Sequence, residues 1–168
     1  MTEFHEQPQI TYASEKYFRS YYETLANVAA EKIYIEMTEP PPFEKVVSFQ
    51  NALISKNGPV YYALLNDQVV GWCDAFPSDN PRLAHRASLG MGLLPEFRGQ
   101  GLGTKLLSTV VKHAKVTGLE KMELHVYTSN LAAIALYTKL GFEEEGVIRR
   151  YRKLDGQYFD SMIMGLFL

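Results

Sequence analysis

The run Arg98-Gly99-Gln100-Gly101-Leu102-Gly103-Thr104 joins an apolar, strand-like stretch to an amphipathic, helix-like one. Its three closely spaced glycines let the backbone take dihedrals closed to other residues and bring N–H groups close to a ligand. A helix start just beyond them adds N–H groups without intrahelical acceptors and the positive end of the helix dipole. Together these suit a phosphate-bearing ligand. Other phosphate loops fail on spacing. Gly101-x-Gly103 leads to Leu106 instead of glycine or alanine, and no acidic residue closes a second strand where a dinucleotide ribose would need it. Gly103-Thr104-Lys105 has the wrong order for a nucleoside-triphosphate loop, and the leading glycine of such a loop is missing.

A second constellation lies downstream. Asn130 stands where it can cap the helix-like run LAAIALYTKL, which Gly141 stops. Tyr137 comes about two helical turns after Asn130, so the two share a face. Four more residues carry titratable groups worth weighing: Glu36 in a proline-rich loop, Asp74 inside a strand-like run, His85 at the start of another, and His125 within a third. For Asp74 the alternation favours the solvent face of a strand, with a polar site as the other reading. Cys73, the only cysteine, sits in an apolar run and reads as a small buried hydrophobe.

The elements that must position these groups are legible from periodicity. Gln9–Tyr12 suggests a first short strand after a polar lead-in. Ser14 is placed to cap a helix to about Ala30, whose Tyr-rich stripe, with Tyr17, Tyr21 and Tyr22, reads as core. Ile33 to Pro42 holds three prolines and must be extended. Its Glu36 and Glu39 are either solvated or part of a cleft wall. A second helix follows from Phe43 to about Ile54. Val60–Leu65 and Gln68–Phe76 flank Asn66-Asp67 as a hairpin, and Ala84–Leu94 makes a long strand. In that strand Gly90 and Gly92 share one face, which marks a place where something lies close on the backbone. Leu102 begins a helix that ends near Thr117-Gly118, with His113 on its polar face, and Lys121–Tyr127 alternates as a strand. Phe142–Lys153 and Tyr158–Leu168 flank Asp155-Gly156, the strongest hairpin signal in the chain. Arg149, Arg150, Arg152 and Lys153 crowd its first arm and read as a solvated edge, with substrate steering as the alternative.

Composition narrows the classes. The chain has 168 residues with 46% hydrophobic content, which fits one globular domain with a real core. A net charge of −2 and a pI near 6.1 leave no electrostatic footprint for nucleic acid. No basic leader precedes an apolar stretch, and nowhere do about 18 apolar residues run together, so no membrane partner is expected and the default location is cytoplasmic. His5, in the lead-in, carries no signal.

Arg98-x-x-Gly101-x-Gly103 resembles the Arg/Gln-x-x-Gly-x-Gly/Ala pyrophosphate loop of the GNAT acetyltransferase superfamily. The segment Asn130 to Phe142, NLAAIALYTKLGF, is similar to that family's N-x-x-A-x-x-L-Y-x-K-x-G-F signature and is far more specific. The likeness covers residues 60–168, and residues 1–59 match only in layout. The closing hairpin is similar to the branch of bacterial amino-acid, polyamine and ribosomal-protein acetyltransferases.

The resemblance implies an α/β GNAT acyl-CoA N-acyltransferase fold: a mixed central sheet of about six or seven strands, about four helices and a C-terminal β-hairpin in one domain over 1–168. It implies acetyl-CoA as donor and no metal. Backbone groups of Leu93 and Leu94 would bind the pantetheine, whose arm would lie along the Gly90 and Gly92 backbone. Arg98, Gly99, Gln100, Gly101, Gly103 and Thr104 would wrap the pyrophosphate, Asn130 would hydrogen-bond the arm, and Tyr137 would sit beside the thioester sulfur as the acid. The expected reaction is direct attack by a primary amine through a tetrahedral intermediate, with no covalent enzyme intermediate. His125 stands five residues before Asn130, where ribosomal-protein acetyltransferases of the family place a glutamate base. Here the chain departs by offering histidine, a residue type suited to base chemistry near neutral pH. His85, Glu36 and Asp74 are its rivals on the acceptor side. The acceptor expected is a small-molecule amine such as an amino acid or polyamine. The alternatives are a protein N-terminus, an antibiotic amine, or a non-catalytic acyl-CoA sensor. An exposed final hairpin makes a homodimer a further expectation.

Overall fold

The computed structural model describes residues 7–168. Three short connections set its frame. Asn66 and Asp67 both take positive φ, +50° and +60°, the mirror-image turn that matches strand twist, and join β2 (Val60–Leu65) to β3 (Gln68–Pro77). Asp155 and Gly156, at +48° and +78°, do the same for β6 (Glu143–Leu154) and β7 (Gln157–Phe167). Gly118 and Gly141, at +80° and +91°, stop α3 (Leu102–Val116) and α4 (Leu131–Lys139). The remaining elements are β1 (Gln9–Tyr12), α1 (Phe18–Ala30), α2 (Phe43–Ser55), β4 (Arg86–Leu93) and β5 (Lys121–Tyr127).

Seven strands form one mixed sheet in the order β1-β2-β3-β4-β5-β7-β6. The expected α/β architecture with a C-terminal hairpin is the observed one. Every neighbouring pair is antiparallel except β4 and β5, which run parallel and pair only over Arg86–Ser88 with Lys121–Glu123. Beyond Ser88 and Glu123 the two strands have no paired residues, and the sheet opens between them.

Each face of the sheet buries its own core. Leu106, Leu107, Val110 and Ala114 of α3, with Tyr137 of α4, pack against Cys73, Ala75, Met122 and Leu124. On the other face Phe18, Tyr21, Leu25 and Val28 of α1 pack with Val46 and Leu53 of α2 against Tyr62 and Trp72. Tyr21 stacks on Tyr62 with ring centroids 5.1 Å apart and meets Trp72 edge-on at 5.6 Å. The Tyr-rich stripe of α1 is therefore core, as its spacing predicts, although Tyr17 and Tyr22 lie at the rim. The first turn after Ser14 is a 3-10 turn over Glu15–Tyr17. His113 is not simply solvated. Its Nδ1 lies 3.0 Å from Tyr61 Oη, and its ring packs against those of Tyr12 and Tyr61.

The two glycines of β4 have a structural cause that their sequence pattern does not show. A Cβ on Gly92 would lie 2.4 Å from Trp72 Cη2, and one on Gly90 would lie 3.0 Å from an Asp74 carboxylate oxygen. The space read as room for a ligand on this face is occupied by Trp72 and Asp74 from β3. Gly92→Ala is expected to destabilise the fold by about 1–3 kcal/mol, because the indole has to leave its packed position. An unchanged urea midpoint would show that Trp72 can move at no cost.

Candidate active site

The opening between β4 and β5 follows from which backbone groups are already paired. Ala75 donates its N–H to Pro59 O at 2.9 Å, so it faces β2, and its neighbours Asp74 and Phe76 face β4. In that register Ser88, Gly90 and Gly92 turn their polar groups to β3, while Leu89, Met91 and Leu93 turn theirs toward β5. Beyond Ser88 no strand receives them. Unpaired backbone groups beside an apolar cleft favour an amide-bearing ligand that completes the ladder. Leu94 is not among them, because its N–H donates to Val70 O at 2.9 Å. The Leu93 carbonyl accepts from Arg98 Nε and Nη2 at 3.0 and 2.7 Å. Leu93 thus keeps its N–H for a ligand, and Leu94 lies outside the cleft wall.

The cleft has a volume of about 840 Å³ and runs from the start of α3, between β4 and β5, to the loop after α1. Its end at α3 is built by glycines. Gly99 and Gly101 take φ of +71° and +81° and have no heavy atom within 4 Å of a would-be Cβ, so the backbone there is open. The first helical bond at this end is Lys105 N–H to Gly101 O, at 3.1 Å. The N–H groups of Leu102, Gly103 and Thr104 precede it and are without intrahelical acceptors, and the last two residues line the cleft. Gln100 does not line it, since its Nε2 turns back to Glu96 O at 2.7 Å.

The Arg98 side chain departs from the expected role. Besides holding the Leu93 carbonyl, its guanidinium meets both carboxylate oxygens of Glu31, at 2.9 and 2.5 Å, and lies 4.5 Å from the Tyr34 ring centroid. That fork is engaged on three sides, so only the backbone of Arg98 is free to face a diphosphate.

Asn130 and Tyr137 line one wall together. Asn130 Oδ1 caps α4 by accepting the Ala133 N–H at 3.2 Å, and among the described residues nothing accepts from its Nδ2, which is available to a ligand carbonyl. Tyr137 is only 8% exposed, and burial pushes its phenol well above the usual range. It is a neutral hydrogen-bond donor throughout the physiological range.

The opposite wall comes from alternate residues of β5 and from two distant segments. Glu123, His125 and Tyr127 point away from the α3–α4 core. Arg86 binds Glu123 at 2.7 Å. His125 is exposed, with its ring 5.6 Å from that of Tyr151 and Nδ1 3.5 Å from Ser161 Oγ. Glu36 accepts a hydrogen bond from Tyr151, and Lys32 O accepts one from Arg152 Nη1 at 2.7 Å. Tyr151 reaches the cleft through a bulge, and Arg152 beside it stays outside the lining. From Ile148↔Ser161 to Arg152↔Phe159, four steps of β6 face two of β7, and Arg150 takes φ +54° with its N–H bound to Asp160 Oδ1. The basic run read as a solvated edge lies outside the cleft lining, and Arg152 ties it to the Lys32 carbonyl.

Two expected acceptor residues lie elsewhere. His85 is exposed before β4, where its carbonyl accepts the Glu120 N–H at 2.8 Å, and it does not line the cleft. Asp74 is not on a solvent face: it is 3% exposed, sealed beneath Tyr21 and Tyr62. Burial pushes its carboxyl up to about 7, opposed by the side-chain amide of Gln50, whose Oε1 accepts from Tyr62 Oη at 2.7 Å. Sequence reasoning missed Glu31, Tyr127 and Tyr151.

A glycine cradle at a helix start, an unpaired strand edge and an apolar wall of Leu124, Val126, Ala133 and Leu136 fit a ligand with a diphosphate at one end and an amide-bearing arm. These are the features of a domain that binds an acyl-coenzyme A. The chain matches the acetyltransferase (GNAT) family over residues 17–142, and it belongs to that family.

An L-amino acid N-acetyltransferase of Escherichia coli is 28% identical over 103 residues, 61% of this chain and 64% of that protein. The ribosomal protein bS18-alanine N-acetyltransferase of Salmonella typhimurium is 39% identical over 72 residues, 43% of this chain and 49% of that protein. The alignments span about half to two thirds of these relatives' length. A phosphinothricin acetyltransferase of Sinorhizobium meliloti, solved with acetyl-CoA, superposes with a TM-score of 0.89 at 23% identity, covering 97% of this chain and 89% of that one. Among the described residues no helix is long and apolar enough to cross a membrane.

Asp74 makes stability depend on pH. Between pH about 4 and about 7 the folded protein keeps its proton while the unfolded chain releases it, so stability falls as pH rises through that window. The loss is up to about 4 kcal/mol at about 1.4 kcal/mol per unit. Asp74→Asn is expected to flatten the slope in urea unfolding, and a slope like that of the parent would assign it to another group.

Proposed function

We propose that the chain is an acetyl-CoA-dependent N-acetyltransferase that acetylates a primary amine of a small molecule by direct attack. The reading rests on one observation above all: the free edge of β4 ends at the glycine cradle of α3, with Asn130 and Tyr137 on one side of the same cleft and His125 on the other. Acetyl-CoA, when bound, supplies the acetyl group as an activated thioester. The backbone of Gly99, Gly101, Gly103 and Thr104 holds the diphosphate, with the α3 dipole favouring its charge. The Leu93 N–H and Asn130 Nδ2 hold the arm in line with β4, and the unpaired N–H groups of β4 polarise the carbonyl.

On the acceptor side His125, directly or through a water, takes the proton that an ammonium must lose before its nitrogen can attack. Tyr137 donates a hydrogen bond to the departing sulfur. Because its phenol is raised above the ordinary value of about 10, further still above a thiol near about 8.5, it stabilises the thiolate as a donor more than it delivers a full proton. The buried Cys73 thiol is pushed up by desolvation and offers no nucleophile, in keeping with transfer without a covalent enzyme intermediate.

Free-thiol release from acetyl-CoA with amino acids, polyamines, aminoglycosides and N-terminal peptides tests the reading. Turnover with a small amine is the expected result, and turnover with peptides alone would move the acceptor to a protein N-terminus. Tyr137→Phe should lower kcat by about tenfold or more with little change in acetyl-CoA Kd; an unaffected rate would remove the hydroxyl from the reaction. Gly101→Val, which forces a branched residue into φ +81°, should abolish acetyl-CoA binding in calorimetry. A Kd equal to the parent's would remove the glycine turn as its cradle.

A further inference from the structure

The cleft opens between β4 and β5 and is lined from both faces of the sheet, and the two sides differ in character. Toward α3 and α4 it borders one core, through Leu124, Val126 and Tyr137. Toward α1 and α2 it borders the other, through Val28, Ile35 and Phe76. This second side is the acceptor side, the face to which Glu123 and His125 point. Met37 adds to its apolar wall and is 37% exposed, and Phe76 meets the exposed Phe49 edge-on at 5.4 Å, so the wall continues to the surface. The charges that face it are few. Glu123 is neutralised by Arg86 at 2.7 Å, while Glu36 has only the Tyr151 hydroxyl as its partner. Of the two permanent cations in the lining, Arg98 is held by Glu31 and the Leu93 carbonyl, and Lys139 stands on the last turn of α4, on the other side of the sheet. Among the described residues the acceptor side, His125 apart, therefore offers an apolar wall, one carboxylate without a cation, and no cation free to meet an anion.

We propose that the acetyl acceptor is a primary amine with an apolar body and no carboxylate, an alkylamine or arylalkylamine. Its body lies against Val28, Ile35, Met37 and Phe76, and its ammonium is drawn in by Glu36. This rests on the acetyl-transfer reading above and narrows its acceptor. Glu36 and His125 flank Tyr151, the first through a hydrogen bond and the second with its ring 5.6 Å from the phenol ring. An ammonium attracted to Glu36 thus arrives beside the base that takes its proton. An amino acid would bring its carboxylate to a side with no free cation, where an unpaired charge is costly. A polyamine would lay further ammonium groups along Val28 and Phe76, with Glu36 the one carboxylate left to pair them. Each methylene laid against the same wall is instead favourably removed from water.

The test measures CoA release by the full chain with the unbranched amines from propylamine to hexylamine, with phenethylamine, and with norleucine, phenylalanine and spermidine. Along the alkylamine series kcat/KM should rise about two- to fourfold per methylene, the range set by burying one such group. Phenethylamine should exceed phenylalanine, which differs from it by the carboxylate, by about tenfold or more. Basicity works against that order, because the alkylamine is the stronger base and less of it is free at neutral pH. Phe76→Ala should flatten the chain-length slope, and Met37→Ser, at an exposed loop position, should flatten it in part with Tm unchanged. Glu36→Gln should raise KM for the amines and shrink the margin over phenylalanine by about twofold or more. A flat series, a preference for norleucine, phenylalanine or spermidine, a slope that survives both Phe76→Ala and Met37→Ser, or an unchanged margin in Glu36→Gln would overturn the proposal and leave acetyl transfer standing. Release only to acceptors outside this series would do the same. Bound acetyl-CoA with no release to any amine would overturn both.

Discussion

The structure depends on a sheet that is not allowed to close. Among the described residues β4 and β5 are the only parallel neighbours, and they pair over three residues before separating. Parallel strands are ordinarily buried and fully paired, so an opening in mid-sheet has to be held by something other than its own ladder. Here each strand is anchored on its far side, β4 by the long antiparallel ladder to β3 and β5 by the ladder to β7. The helices then fill the two faces instead of the gap. What remains is a slot lined by unpaired main chain from Leu89 to Leu93, a shape that only a ligand able to hydrogen-bond like a strand completes.

Arg98 shows how the two ends of that slot are joined. Its guanidinium holds the Leu93 carbonyl, where β4 leaves the sheet, and both oxygens of Glu31, where α1 gives way to the loop that carries Tyr34 and Glu36. The glycine turn before α3 and the loop that carries Tyr34 and Glu36 are therefore one connected unit. With roughly a quarter of each side chain exposed, the ion pair is shielded enough for the bidentate geometry to matter. An arginine in a phosphate-binding motif reads as a phosphate ligand. In this fold its side chain is turned to Glu31 and the Leu93 carbonyl instead.

The acceptor side is assembled from parts with little local signal. The bulge in β6 brings Tyr151 to the cleft, Glu36 arrives from the loop before α2, and His125 and Tyr127 come from alternate positions of β5. Burial then changes the meaning of several groups. Asp74, in an alternating run that suits a solvent face, is under α1 and α2 because the sheet is covered on both faces, so alternation no longer separates core from solvent. Gly90 and Gly92 exist for Trp72 and Asp74 as much as for any ligand.

What the sequence determined by itself is whatever local chemistry decides. The hairpin at Asn66-Asp67, the one at Asp155-Gly156, the helix stops at Gly118 and Gly141, the cap at Asn130 and the positive φ of Gly99 and Gly101 each depend on a few adjacent residues, and all are legible without the fold. The α3 end of the cleft, built from one turn and one helix face, is legible for the same reason. Tertiary structure alone decided the strand order that inserts β7 between β5 and β6, the gap beside β4, the arrival of Tyr151 at the cleft and the burial of Asp74. Each of these depends on residues far apart in the chain meeting across the sheet, and hydrophobic period and turn chemistry carry no information about which distant partner an element will find.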